Sequence, residues 1–167
     1  NTCILDVGCG NGALASELIR LGYNVFGTDA SKTGIEHAKQ QHSDRFFLQD
    51  LSTDDLPDGL SHIRFDTVIS TEVIEHLYDP LQFLIFCRQI LGGTGCGELI
   101  VSTPYHGYLK NLALALSGKL DSHFGPLWLG GHIKFWSRAT LSAAFDQAGF
   151  EVTGFTGSGR FPYFWKS

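Results

Sequence analysis

The chain has 167 residues, 43% hydrophobic and 17% charged, with 12 Lys+Arg against 17 Asp+Glu for a formal charge of −5. That length suits one buried core; the composition excludes collagen, coiled coil and disorder, and an acidic balance disfavours binding to a phosphate backbone, which needs a basic face. Four cysteines are too few for a disulfide-stapled mini-domain and fit a reducing, cytoplasmic setting, while no run approaches the ~20 apolar residues of a membrane span and no signal-peptide pattern opens the chain.

Strand-like and helix-like segments alternate from the start. Cys3-Ile4-Leu5-Asp6-Val7 is a short, nearly continuous apolar run that stops at glycines, as a buried parallel strand does. After the loop over 8–12, Leu14, Leu18 and Leu21 recur at helical spacing and Gly22 closes the helix. A second strand over 24–28 ends at Asp29, a helix runs from Ser31 to about Gln41, and strands follow over 45–48 and 65–70. Asp79-Pro80 reads as an N-cap followed by proline at the first helical position, with Gln82 placed for a capping box; this helix should bury Leu81, Leu84, Ile85, the stem of Arg88 and Leu91. A fifth strand over 98–102 precedes Thr103-Pro104.

From 105 to 131 the pattern is irregular, with a short apolar helix (Leu109, Leu112, Ala113, Leu116) and loops around Phe124, Trp128 and Leu129. Ser137 caps a last helix with Leu141, Ala144, Phe145 and Ala148 on one face, Gly149 ends it, and a sixth strand is expected over 150–155 before an aromatic tail. Alternation of this kind predicts an α/β fold, a doubly wound and mostly parallel Rossmann-like sheet with helices on both faces. Ligands of such sheets bind at the carboxyl ends of the strands, where strand order reverses.

The sequence Asp6-Val7-Gly8-Cys9-Gly10-Asn11-Gly12 sits at that place. Glycines admit positive φ and let a ligand approach the main chain, and the helix behind them offers free N–H donors. The spacing of Gly8, Gly10 and Ala13 also satisfies a dinucleotide fingerprint. Asp6 argues against NAD, because a charge two residues before the first glycine repels a pyrophosphate and attracts an ammonium or sulfonium. Acids recur at three strand ends, Asp6, Asp29 and Asp50. Asp29 is placed to accept from a ribose diol, and Asp50 could take an adenine amino group.

Further along, Thr71-Glu72-Val73-Ile74-Glu75-His76-Leu77 would place Glu72, Glu75 and His76 on one face if it makes a helical turn. Two carboxylates and an imidazole form a hard half-site for a divalent cation such as Mg²⁺, Mn²⁺ or Zn²⁺. The alternative is a solvated acidic turn. His106, His123 and His132 follow the fifth strand as further candidate ligands. The cysteines read as small apolar residues.

The motif Asp6-Val-Gly-Cys-Gly-Asn-Gly, with Asp29 and Gln49-Asp50-Leu51, resembles the nucleoside-binding motifs of class I S-adenosylmethionine-dependent methyltransferases. The resemblance implies that Asp6, Gly8 and Gly10 line the methionine and ribose parts of the cofactor. It implies that Asp29 holds the ribose hydroxyls, Ala30 and Asp50-Leu51 flank the adenine, and Ser70 borders the methyl group. Glu-x-x-Glu-His with a later histidine is similar to the ubiquinone-biosynthesis O-methyltransferases and to small-RNA 2′-O-methyltransferases. That likeness implies metal ligands Glu72, Glu75, His76 and His132, with Glu72, His76 and His132 as catalytic residues and His106 in reserve. The acceptor expected is a small hydroxylated aromatic or lipophilic molecule, under a substrate-covering insertion at about 105–131 that could also touch membrane. Nucleic acid is disfavoured by the scarcity of Lys and Arg there. An NAD-binding oxidoreductase and a non-catalytic cofactor-binding module are the other readings. Because the glycine loop starts near Asn1, and 161–167 resembles the approach to a closing antiparallel strand, the resemblance also implies a single core domain truncated at both ends.

Overall fold

The computed structural model describes residues 2–51, 55–92, 97–125, 127–128 and 130–157. Five strands, β1 (Cys3–Val7), β2 (Asn24–Asp29), β3 (Phe46–Leu48), β4 (Thr67–Thr71) and β5 (Glu98–Ser102), form one sheet. Their order is β3-β2-β1-β4-β5, and every pairing is parallel. The helices are α1 (Ala13–Arg20), α2 (Lys32–Lys39), α3 (Pro80–Ile90), α4 (Tyr108–Leu116), α5 (Leu120–Phe124) and α6 (Arg138–Gln147). The doubly wound α/β architecture expected from the alternation is the one observed.

The two faces of the sheet carry separate cores. Cys3, Leu5 and Val7 of β1 alternate to one side and pack with Phe83, Leu84, Phe86 and Cys87 of α3, joined by Leu141, Ala144 and Phe145 of α6. Ile4 points to the other side, among Ala15, Val25, Ile35, Ala38 and Phe46. This period-2 division is why β1, buried at all five positions, reads as a continuous apolar run.

Local signals placed several boundaries. The Ser31 hydroxyl accepts from Gly34 N at 3.1 Å to cap α2, Asp79 Oδ1 accepts from Gln82 N at 2.9 Å to cap α3, and Ser137 with Thr140 forms a capping box on α6. Other expectations held only in part. Of the helically spaced Leu14, Leu18 and Leu21, Leu18 packs on the core beside Ala15 and Ile19, while Leu14 and Leu21 are exposed. On α3, Leu84 and Leu91 are buried as expected, Leu81 and Ile85 pack partly buried against them and Phe83, Phe86 and Cys87 join them, but Arg88 is exposed and reaches the Ala148 carbonyl. The sixth strand over 150–155 is absent: 150–157 run without sheet pairing, and a groove of about 1140 Å³ separates that segment from the edge of β5. The alternating apolar residues there pack Phe150 against Phe145, and among the described residues no backbone ladder forms with a neighbour. The aromatic tail, Leu129 and Cys96 lie outside the described residues.

Strand order reverses between β1 and β4. The chain leaves β1 for β2 and β3 on one side and returns to β4 and β5 on the other, which opens a crevice at the carboxyl ends of β1 and β4.

Candidate functional site

The glycine loop leaves β1 at that crevice. Thr28 O accepts from both Gly8 N (2.8 Å) and Cys9 N (2.9 Å), tying the loop to the end of β2. Gly8, Gly10 and Gly12 all have positive φ. At Gly8 the glycine is required twice over, since a Cβ would lie 2.3 Å from Val73 Cγ2 in addition to the φ of +79°.

Asp29 closes the loop. Its Oδ2 accepts from Gly10 N at 2.8 Å and its Oδ1 accepts from Ser31 N at 2.7 Å. Each carboxylate oxygen keeps a further lone pair, and Asp29 is half-buried beside the exposed Ala30. Gln49 N bonds to Asp29 O at 2.9 Å, which sets the segment 49–51 next to the same strand end. Asp50 is exposed there and Leu51 is half-buried.

Asp6 differs from every other acid of the crevice. It is 1% exposed, and neither carboxylate oxygen has a hydrogen-bond partner. Burial, with the Asp29 charge second, pushes its carboxyl up to about 7. An unpaired buried carboxylate is costly, so this position calls for a cation or a donor from outside the chain. Across the crevice the Ser70 hydroxyl, at the end of β4, is also fully buried without a partner, as is that of Thr28. Thr28 and Gln49, whose Oε1 is likewise buried and unpartnered, were not among the expected site residues. A polar residue directly before Asp29 and before Asp50 is the signal that could have found them.

The segment after β4 makes a 3₁₀ turn, Ile74–His76. Glu75, His76 and His132 come together there, with ligand-capable atoms within 4.8 Å of one another. Glu75 is 1% exposed; Thr103 Oγ1 donates to its Oε2 at 3.0 Å, and its Oε1, unpartnered, lies 4.0 Å from His76 Nε2. Burial raises the Glu75 carboxyl above its ordinary value, with the Thr103 hydrogen bond opposing the rise. The imidazoles of His76 and His132 meet edge-to-face at 4.9 Å, and His76 Nδ1 sits 3.3 Å from Gly131 O. Residues 55 positions apart in the chain meet because Ile133 N and Lys134 N both donate to Glu75 O at 2.9 Å.

Glu72 stands outside that cluster. It precedes the turn with φ +56°, the one non-glycine residue in the left-handed region among those described. Its carboxylate accepts instead from Ser102 Oγ at 2.9 Å. The expected shared face of Glu72, Glu75 and His76 required an α-helical turn, and a left-handed residue followed by a 3₁₀ turn changes the direction of the first side chain. His106 is also separate. It is buried among His123, Phe124 and Phe135, and burial, with Lys110, His123 and His132 nearby, drives its imidazole down to about 4.

Comparison with known proteins fits this geometry. A family model described as a methyltransferase domain matches residues 1–154. The chain belongs to this methyltransferase-domain family. Among curated relatives, the methyltransferase is 33% identical over 138 residues to a ubiquinone biosynthesis O-methyltransferase of Cereibacter sphaeroides, covering 81% of this chain and 53% of that one. It is 39% identical over 139 residues to the same-named protein of Caulobacter vibrioides, covering 81% and 52%. The chain thus spans about half the length of such relatives. In fold, it matches the magnesium protoporphyrin IX methyltransferase of Synechocystis with bound S-adenosylhomocysteine, with a TM-score of 0.66, 22% identity and coverage of 95% and 68%. A mycolic acid cyclopropane synthase complexed with S-adenosylhomocysteine gives a TM-score of 0.71 at 21% identity, covering 92% and 56%.

Proposed function

We propose that this methyltransferase chain carries S-adenosylmethionine-dependent O-methylation of a small hydroxylated aromatic or lipophilic acceptor, with a divalent cation assisting. The observation that carries the reading is Asp6, a buried carboxylate with two unpartnered oxygens at the strand-order reversal. It fits a cationic cofactor and does not fit a pyrophosphate. Gly8 and Gly10 leave room for the methionine and ribose parts beside the loop. Asp29, already fixed by Gly10 and Ser31, presents its remaining lone pairs to a ribose diol. Ala30, Asp50 and Leu51 border the adenine, and Ser70 borders the reacting carbon. When bound, S-adenosylmethionine supplies an activated methyl group for in-line displacement, so the chain chiefly orients the reactants.

The donor set Glu75, His76 and His132 fits a divalent cation of mixed oxygen/nitrogen preference, with Glu72 as a further carboxylate three residues away. A cation held there would lower the pKa of the acceptor hydroxyl. His76 and His132 hold their ring positions through Gly131 and each other. Downstream of β5, no residue of α4 is fully buried: Tyr108 is 74% and Leu116 81% exposed, as Trp128 is 67%. That apolar surface supports a lipophilic acceptor and contact with a membrane surface; no described helix is long and apolar enough to cross one.

The reading is tested by thermal shift and by a methylation screen over phenols, catechols and RNA ends, with and without Mg²⁺ or Mn²⁺. S-adenosylhomocysteine should raise the melting temperature and NAD should not. Chelation should abolish transfer while cofactor binding persists. Stabilisation by NAD alone would overturn the assignment, and transfer that survives exhaustive chelation would remove the metal from it.

A further inference from the structure

The two carboxylates flanking Val73-Ile74 are held by consecutive hydroxyls of one strand end. The β4–β5 pairing brings Thr71 opposite Ser102, and Glu72 N extends the ladder by donating to Ser102 O at 3.1 Å. Ser102 Oγ then donates to Glu72 Oε1 at 2.9 Å. One residue on, Thr103 Oγ1 donates to Glu75 Oε2 at 3.0 Å. The outcomes of the two bonds differ. Thr103 occupies one oxygen of a buried carboxylate and leaves Oε1 toward His76 and His132. Ser102 engages an exposed carboxylate that stands outside the cluster. Two and three residues farther, the same segment pairs with the one that delivers His132: Tyr105 bridges Trp136 and His106 N donates to Trp136 O at 2.7 Å.

We propose that the end of β5 sets the carboxylates of the cation site: Thr103 is a positioning residue that aims Glu75 into the cluster, and Ser102 is a latch that holds Glu72 in reserve. This rests on the cation reading of Glu75, His76 and His132. Groups that orient a ligating side chain from behind typically carry a 10- to 100-fold effect on metal affinity. A latch on a potential ligand acts in the opposite direction, because its hydrogen bond competes with ligation. The pair therefore predicts opposite signs for two adjacent substitutions.

The test is Mn²⁺ binding to the full chain, read from the electron paramagnetic resonance of the free ion and so independent of turnover. Thr103→Val should weaken binding by ~10- to 100-fold, and Thr103→Ser should restore it. Ser102→Ala should tighten binding several-fold, and the gain should vanish in the Ser102→Ala/Glu72→Gln double variant. S-adenosylhomocysteine affinity and circular dichroism, unchanged in each variant, show that the fold persists. Unchanged affinity in Thr103→Val, or weaker binding in Ser102→Ala, would overturn the proposal while leaving the cation reading standing. Absence of Mn²⁺ binding by the parent chain, or binding indifferent to Glu75→Gln, would overturn both.

Discussion

Replacing Asp6 by Asn tests the electrostatics of the crevice directly. The carboxyl moves from an ordinary value of 3.8 to about 7 on folding, a penalty on the ionised form of ~4 kcal/mol at ~1.36 kcal/mol per unit. The sign follows from proton uptake: between these two values the folded chain binds more protons than the unfolded one, so stability falls as pH rises from about 4 through 7. Asn removes the charge but leaves a buried amide without a partner, which costs back ~1–3 kcal/mol. The net gain for the free chain at pH 8 is then ~2 kcal/mol, or ~4–8 °C in melting temperature for a chain of this size. Below pH 4, where neither side chain is charged, only the amide cost remains, and the variant should be the less stable by ~1–3 kcal/mol. With cofactor the order reverses. Truncating one partner of a buried charge pair costs ~2–5 kcal/mol, so affinity for S-adenosylmethionine should fall at least ~30-fold. Scanning calorimetry at pH 4 and pH 8, with calorimetric titration of the cofactor, measures both. A variant no more stable than the parent at pH 8, with cofactor affinity intact, would refute the assignment of Asp6 as the cation's partner.

Asp29→Ala should weaken S-adenosylhomocysteine binding ~10-fold or more, since it removes the anchor of Gly10 and Ser31 together with the diol acceptor; unchanged titration would move that role elsewhere. Gly8→Ala should destabilise the chain by ~2–4 kcal/mol, combining left-handed strain with overpacking against Val73. Adding Val73→Ala should recover the packing part in chemical denaturation and leave the strain. Leu116→Ser should leave melting nearly unchanged, because Leu116 is 81% exposed, while reducing co-sedimentation with vesicles; equal retention on vesicles would remove the membrane from the proposal.

Much of the frame was legible from local chemistry. The apolar run 3–7, the positive-φ glycines after it, and the Ser31, Asp79 and Ser137 caps each specify backbone within a few residues, so the elements and their order could be read in chain sequence. Asp6 and Asp29 could be singled out for a similar reason: a glycine loop after the first strand, and an acid at the end of the second, are local patterns with a fixed place in a doubly wound sheet. The face of α1 could not. Leu14 and Leu21 keep helical spacing as faithfully as Ala15 and Ile19, and what distinguishes them is which side meets β2. The strand expected over 150–155 failed on the same ground, because alternation makes a strand only where a neighbour offers a ladder.

The cluster of Glu75, His76 and His132 divides along this line. Sequence alone named the residue types and, through the spacing of the turn, brought Glu75 and His76 together. The arrival of His132 depends on two backbone bonds from Ile133 and Lys134 to Glu75 O, and Glu72, turned by its left-handed backbone, bonds to a hydroxyl 30 residues away. Identity, caps and glycine conformations follow from short-range sterics and hydrogen bonds that the sequence itself carries. The aim of a carboxylate is decided by partners that only the folded chain brings within 3 Å of it.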